Sequence, residues 1–197
     1  MIRKLWGDLW RVLVFIGLLW VAWMVSLVVD IRFLALQPRS VSGLVGVATM
    51  PLLHQDLNHI LGNTIPLTAL LLMLQTTQRR WGRILTGLWI CSGTLVWLLG
   101  REGLHMGAST LIYAVAAWLI TAAFHERRPL SIAAAVLVPV LFGPLFWGLF
   151  PTAGSHVSWD GHSLGAAAGA ALAWAVLPRT RQTQPTIAPP PAKTTDS

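Results

Sequence analysis

The sequence predicts an all-α membrane protein, a polytopic bundle of six transmembrane helices with both termini in the cytoplasm. Three observations support this: the composition, the length of the apolar runs and the placement of the cations. Of the 197 residues, 55% are hydrophobic and only 11% are charged, whereas a soluble domain has about 25% charged residues. So few charges cannot coat a soluble globule. The composition therefore excludes a soluble enzyme, a disordered chain and a nucleic-acid binder that works in water.

The first three apolar runs are bounded by charged residues. Each is close to the 20 or so apolar residues that cross a bilayer, and none alternates with the period of a strand, so each is a predicted helix. Span 1 covers 12–29, span 2 covers 57–77 and span 3 covers 84–100. Residues 1–11 before span 1 are predicted to form a short cytoplasmic segment.

The last three apolar runs have a similar length and also lack the alternation of a strand, so they are predicted helices as well. Span 4 covers about 106–124, span 5 covers 129–150 and span 6 covers 161–177, so the membrane domain is expected to extend over 12–178. The tail 179–197 is rich in Pro and Thr, a composition typical of a disordered segment. We expect this tail to lie disordered in the cytoplasm.

The cations predict the orientation of the bundle. Eleven of the 14 Lys and Arg residues fall before span 1, between spans 2 and 3, between spans 4 and 5, or after span 6. The opposite side holds only Arg32, Arg39 and Arg101. Cytoplasmic loops of membrane proteins carry the excess of Lys and Arg, so both termini are predicted to be cytoplasmic.

The first outer loop, 30–56, is unusually apolar for a connection. We expect it to lie in the membrane interface or to pack on the bundle, because exposed loops are polar. Its apolar residues include Leu34, Leu44, Val45, Val47, Met50, Leu52 and Leu53.

Polar groups within spans are costly and therefore mark candidate functional sites. His59 and Asn63 lie one helical turn apart on span 2, Ser109 lies near the outer start of span 4, and His162 lies at the outer start of span 6. All three segments place these groups at one depth near the extracytoplasmic side. This convergence predicts a single site.

The residue types at this depth suit nucleophilic catalysis. Serine needs a general base to take its proton, and histidine is the usual base, so Ser109 and His162 form a candidate pair. Small residues at Gly165 and Gly169 would let spans 4 and 6 approach closely. His59 and Asn63 are candidate donors to an oxyanion, and Tyr113, one turn below Ser109, is a candidate to stack on His162.

The length of span 4 predicts a recessed, wet site. From Ser109 to Phe124 a helix covers about 24 Å, less than the roughly 30 Å of a bilayer's hydrocarbon core. The helix would then start below the outer surface, with 101–108 dipping in as non-helical backbone. Such backbone is tolerated where it lines a water-filled cavity.

Three motifs occur in the order and the spans of a known family. They are His54-x4-His59-x3-Asn63 at the start of span 2, Gly107-Ala108-Ser109 with Tyr113 at the start of span 4, and His162 followed by Gly165 and Gly169 in span 6. With these motifs, the chain resembles the rhomboid family of intramembrane serine proteases over roughly 12–177, in a minimal bacterial six-span form.

The resemblance implies a Ser–His dyad of Ser109 and His162 without a third acidic residue. It also implies oxyanion support from His59 and Asn63 and a helix-packing role for His54. The implied protein is a serine endopeptidase of the cytoplasmic membrane that needs no cofactor or metal. It would cut transmembrane protein substrates within the lipid bilayer near their extracytoplasmic ends, and it would bind no nucleic acid. The oligomeric state stays open.

Thr110 departs from the family pattern, which usually has glycine after the nucleophile. A β-branched residue there is expected to restrict the backbone and crowd the site.

Simpler roles exist for each candidate. Ser109 would suit a helix cap, and His59 and Asn63 would suit interhelical hydrogen bonds. A metal site of His54, His59 and His105 is disfavoured, since the step from His54 to His59 does not place both on one helical face. A catalytically weak or inactive relative that binds membrane proteins is the alternative function.

The remaining polar residues near the spans are predicted to have structural rather than catalytic roles. Asp160 is expected to cap span 6 rather than to serve as a triad acid. His105 and His156 are expected in loops near the outer face, and His125 at the cytoplasmic interface.

Overall fold

The computed structural model describes residues 2–151 and 158–178, and this part of the chain is helical. Its helices are α1 (Ile2–Ser26), α2 (Gly46–Thr49), α3 (Leu57–Thr77), α4 (Trp81–Leu99), α5 (Ser109–Glu126), α6 (Pro129–Phe142) and α7 (Trp159–Val176). The predicted disordered tail 179–197 and the loop residue His156 lie outside the described residues.

The six predicted spans coincide with α1, α3, α4, α5, α6 and α7, with shifted ends. The first helix begins at Ile2 and so includes most of the segment predicted to precede span 1. Span 5 is divided, because α6 ends at Phe142 and a 3-10 segment follows over Gly143–Leu149. Pro144 lies at its start and lacks the N–H that a continuing α-helix would need.

Four of the described helical stretches are long and apolar enough to cross a membrane: Leu9–Ser26, Leu57–Thr77, Trp81–Leu99 and Pro129–Leu149. The helices α5 and α7 are not among them, although each has 18 residues. Both carry polar residues at their first turns, and they pack against each other. The all-helical architecture is confirmed, whereas six crossings and cytoplasmic termini stay predictions.

The helix α5 lies at the centre of the bundle, in contact with α3, α4, α6 and α7. Its side chains Leu111, Val115 and Trp118 are fully buried. Even His125 in its last turn is buried, with its ring edge-on to Trp174 at 5.1 Å. The side chain of His125 is buried because α7 covers this face of α5, and its interfacial depth stays a prediction.

Glycines allow α7 to pack directly on the backbone of α5. A Cβ on Gly165 would overlap the carbonyl oxygen of Thr110, and one on Gly169 would overlap that of Ala114. The predicted close approach of these two helices is confirmed, and it fixes the spacing of their first turns.

The apolar loop between α1 and α3 packs on the bundle, which is one of the two positions predicted for it. Leu36 and Met50 are buried in a cluster with Val96 of α4. Leu36 and His105 pair through two backbone hydrogen bonds, and Met50 accepts one from the amide of Gly107. The loop thus holds the non-helical segment 101–108 that leads into α5.

Replacing Gly169 by alanine tests the α5–α7 contact. The added methyl group must displace the backbone of α5, and overpacking of this kind costs about 1–3 kcal/mol. We expect thermal unfolding of the detergent-solubilised Gly169→Ala protein at a clearly lower temperature than wild type, measured by circular dichroism.

Gly17→Ala in α1 is the matched control, because nothing lies within 4 Å of a Cβ at that position. It is expected to leave the unfolding temperature unchanged or to raise it. Equal unfolding temperatures for Gly169→Ala and wild type would contradict the tight contact.

Candidate active site

A cavity of about 480 Å³ opens at the end of the bundle where α3, α5 and α7 begin, which we call the outer end. His59, Asn63, Ser109, Tyr113 and His162 all line it. The four polar residues predicted to share one depth, together with Tyr113, therefore do meet in one cavity.

Ser109 is the first residue of α5, and its hydroxyl points to a histidine. Ser109 Oγ and His162 Nε2 are 2.9 Å apart, at hydrogen-bond distance. The N-cap position belongs to Ala108, which has no side-chain cap. The simpler role of Ser109 as a helix cap is therefore not the one observed.

The second nitrogen of His162 is held by the backbone. His162 Nδ1 lies 2.9 Å from the carbonyl oxygen of Gly148. A carbonyl oxygen only accepts, so Nδ1 carries the proton, and in the neutral ring Nε2 is left to accept from the hydroxyl of Ser109. This is the tautomer that a general base for Ser109 needs.

Tyr113 and the 3-10 segment Gly143–Leu149 complete the support of this ring. The rings of Tyr113 and His162 stack with centroids 4.3 Å apart and planes 21° apart. The hydroxyl of Tyr113 donates to the carbonyl of Leu145, and Ser163 Oγ donates to that of Leu149 at 2.8 Å. These carbonyl acceptors could not be predicted from the sequence, because every residue has a backbone carbonyl and no residue type marks the ones that accept.

Gly148 has no room for a side chain. A Cβ there would overlap the Tyr113 hydroxyl and lie 3.0 Å from His162 Nδ1. The position therefore requires glycine for the histidine to reach the backbone carbonyl.

His59 and Asn63 face Ser109 from α3. Asn63 is 4% exposed, and its Nδ2 has no hydrogen-bond partner among the described residues. Such a buried, unused donor is costly unless something occupies the cavity.

Gly107 passes close to both of these side chains. Its φ of +112° is in the region that favours glycine. A Cβ on Gly107 would lie 2.5 Å from His59 Nε2 and 3.4 Å from Asn63 Nδ2. The Gly107-Ala108-Ser109 motif therefore combines a special backbone conformation with a close approach.

His54 supports His59 from the loop before α3. It is buried, and its ring is edge-on to that of His59 at 5.1 Å. Burial, and then the neighbouring His59, lower the pKa of His54 to about 4. His54 is thus neutral at physiological pH and acts as a packing partner.

Asp160 joins the segment before α5 to the start of α7. Its carboxylate accepts from the backbone amide of Arg101 at 2.8 Å and from the Arg101 guanidinium at 3.1 Å. His105 Nε2 bonds the carbonyl of Arg101 at 3.0 Å, and its Nδ1 bonds Ser158 Oγ at 2.8 Å. These contacts tie the segment that leads into Ser109 to the helix that carries His162.

One prediction about these residues is wrong. Asp160 lies in the first turn of α7 and accepts hydrogen bonds from Arg101 rather than capping its own helix, for which Ser158 is the N-cap residue. His105 lies in the non-helical segment before α5, as predicted, and it is 7% exposed because the loop of Leu36 and the start of α7 cover it. No hydrogen bond joins Asp160 to His162 within the described residues.

Thr110 points away from the cavity. Its Cγ2 would be 3.2 Å from a Cβ on Gly165, and its Oγ1 3.2 Å from one on Gly161. The side chain thus fills the space left by the glycines of α7, and it is absent from the cavity lining. The predicted crowding of the site by Thr110 is not observed.

The metal alternative gains no support here. Among the described residues, no three His, Cys, Asp or Glu side chains are grouped to hold a metal ion.

Comparison with known proteins identifies the family of the chain. The family model for the rhomboid domain matches residues 41–179, which include every residue of the cavity named above. The chain therefore belongs to the rhomboid family.

Similar proteins occur in mycobacteria. Uncharacterized proteins of Mycobacterium tuberculosis (strain H37Rv) and Mycobacterium bovis are each 34% identical over 148 residues, covering 71% of this chain and 62% of theirs. An uncharacterized protein of Mycobacterium leprae is 30% identical over 71% of this chain and 59% of its own. The chain thus spans about three fifths of the length of the curated relatives that it matches.

Substitution of Gly148 tests how the histidine is held. In Gly148→Ala the added methyl group displaces the carbonyl from His162 Nδ1, so the ring loses its fixed tautomer. We expect ¹⁵N NMR of histidine-labelled protein to show the Nδ1–H tautomer for His162 in wild type and a mixture in the variant, with His162→Ala assigning the signals.

Gly143→Ala is the control within the same 3-10 segment, because a Cβ there would have no described atom within 4 Å. It should retain the wild-type tautomer. An unchanged His162 signal in Gly148→Ala would show that the carbonyl does not hold the ring.

Proposed function

We propose that this rhomboid-family membrane protein is an intramembrane serine endopeptidase that uses a Ser109–His162 dyad. The observation that supports this most directly is the 2.9 Å contact between Ser109 Oγ and His162 Nε2. It occurs in a cavity, and the other ring nitrogen is committed to a carbonyl. A serine kept only for packing would not need a histidine in this tautomer.

The proposed reaction proceeds through an acyl-enzyme. Ser109 Oγ attacks the scissile carbonyl while His162 Nε2 takes the hydroxyl proton, and His162 then gives that proton to the leaving amine. Water enters the cavity, gives up a proton to His162 and attacks the ester carbonyl, and His162 then returns that proton to Ser109 Oγ as the new carboxyl terminus leaves. The carbonyl of Gly148 accepts from Nδ1 throughout and orients the imidazolium that forms.

Donors on the opposite wall would stabilise the tetrahedral intermediate. Asn63 Nδ2 has no partner among the described residues, and His59 lies beside it across Gly107. The amide of Ser109, in the first turn of α5, has no acceptor within its own helix. Together they would form a pre-organised oxyanion site.

The substrate class follows from the place of the site in the bundle. The cation distribution predicts that the outer end faces the extracytoplasmic side, and we propose that the protein lies in the cytoplasmic membrane. A substrate helix must unwind there, because helical carbonyls are already hydrogen-bonded. We propose cleavage near the extracytoplasmic end of a transmembrane segment, next to Gly, Ser or Pro.

A rhomboid-like protein that only binds membrane proteins is the second candidate. Binding alone does not require the positive φ of Gly107 or a buried Asn63 Nδ2 without a hydrogen-bond partner among the described residues. Assays of the purified protein separate the two candidates.

Substitution of the dyad tests the function. Ser109→Ala and His162→Ala are each expected to abolish cleavage of a model single-span substrate in proteoliposomes, because the first removes the proposed nucleophile and the second removes its base. Mass spectrometry of the products should place the cut near the extracytoplasmic end.

Ser92→Ala is the matched control, because Ser92 is a buried serine whose hydroxyl, among the described residues, bonds only the carbonyl of Trp89. It should cleave like wild type. Full activity in folded Ser109→Ala protein would rule out the dyad, and cuts at the cytoplasmic end would rule out the orientation.

The oxyanion role of Asn63 is tested by two variants. Asn63→Ala and Asn63→Asp should each lower kcat by about 10²–10³ with little change in KM, since the donor acts mainly in the transition state. Asp keeps the shape but replaces the N–H donor with an oxygen. Steady-state kinetics in which Asn63→Asp keeps wild-type turnover would assign Asn63 to packing alone.

A further inference from the structure

A second cavity lies at the opposite end of the bundle, where α4 begins and α5 and α7 end. It is a groove of about 730 Å³. Its wall changes character with depth: Arg79, Arg80 and Arg83 are exposed, Ile84 is half-buried, and Trp118 is fully buried. The groove therefore has a cationic mouth and an apolar interior.

The three arginines at the mouth have no acidic partner among the described residues. Within the described residues none of them forms an ion pair or a side-chain hydrogen bond. Glu126 is the acid beside them, but Arg128 engages its carboxylate at 2.6 Å. Ser131 and Gln78 donate to it at 2.5 Å and 3.1 Å. Glu126 therefore leaves the charges of the mouth uncompensated.

The apolar part of the groove follows the seam between α4 and α7. Gly87 and Leu172 meet there, with Leu172 Cδ2 3.1 Å from a Cβ built on Gly87. The missing side chain at Gly87 leaves a furrow that Leu172 and Val176 border along α7. A hydrocarbon chain fits such a furrow, whereas a soluble anion would gain nothing from it.

We propose that this groove is a binding site for one anionic phospholipid. The phosphate pairs with the guanidinium groups of Arg79, Arg80 and Arg83, whose planar donors suit phosphate oxygens. An acyl chain lies along the α4–α7 seam. Basic pockets between helices on the cytoplasmic side bind anionic headgroups in other membrane proteins. The site is distinct from the Ser109 cavity, and the inference does not depend on proteolytic activity.

Native mass spectrometry of the full chain in detergent tests the proposal, with phosphatidylglycerol and phosphatidylcholine as probes. Wild type should retain one phosphatidylglycerol in preference to phosphatidylcholine. Each neutralised arginine should weaken binding about fivefold. Arg83→Gln serves as the mild variant, and the triple variant Arg79→Gln, Arg80→Gln, Arg83→Gln should lose the bound lipid.

Arg127→Gln is the matched control, because Arg127 is exposed at the same end but does not line the groove. It should bind like wild type. Glycerol phosphate and inorganic phosphate, added as competitors, should fail to displace the lipid because they lack the acyl chain.

Three results would overturn the site. Equal retention of phosphatidylcholine would show ordinary annular lipid, and displacement by inorganic phosphate would show a site for a soluble anion. Equal loss in Arg127→Gln and Arg83→Gln would show a general effect of charge. Size-exclusion chromatography confirms folding, and Arg83→Gln decides the question if the triple variant does not fold.

Discussion

The packing of α7 on the backbone of α5 is the constraint on which the site depends. At Gly165 and Gly169 the two helices are so close that even a methyl group would overlap a carbonyl oxygen of α5. This contact sets the distance between their first turns, which carry Ser109 and His162. On the other side of these first turns, the hydrogen bonds that Arg101 donates to Asp160 join the segment before α5 to the start of α7. The positions of Ser109 and His162 are thus fixed from both sides.

Backbone carbonyls take the place that an acidic side chain has in a triad. Gly148 orients His162, and Leu145 orients the Tyr113 ring that stacks on it. A neutral carbonyl selects the tautomer without burying another charge, which would be costly at membrane depth. Both carbonyls belong to the 3-10 segment after α6. The orientation of the histidine is therefore coupled to the position of that segment.

Local patterns predicted most of the fold. Apolar runs between charges located the helices, and the one-turn spacing of His59 and Asn63 put both on one face of α3. The end of α6 at Phe142 was missed, because the hydrophobic run continues through the Gly143-Pro144 break that divides it.

Those local patterns could not predict contacts between residues that are distant in sequence. Asp160 was expected to cap its own helix, but the partner that decides its role, Arg101, is distant in sequence. The burial of His105 beneath the loop of Leu36 and the contact of His125 with Trp174 also depend on residues that are distant in sequence. Gly148 acts through its carbonyl, so no motif marks it. Ser109, His59, Asn63 and His162 were found because polar groups are rare inside spans.

Covalent labelling tests the central claim most directly. Purified protein in detergent is treated with a serine-reactive phosphonate, and the adduct is located by intact mass and peptide mapping. We expect one adduct, on Ser109, which is lost in His162→Ala and retained in Ser92→Ala. An adduct on another serine, or equal labelling without His162, would contradict a nucleophile activated by this histidine.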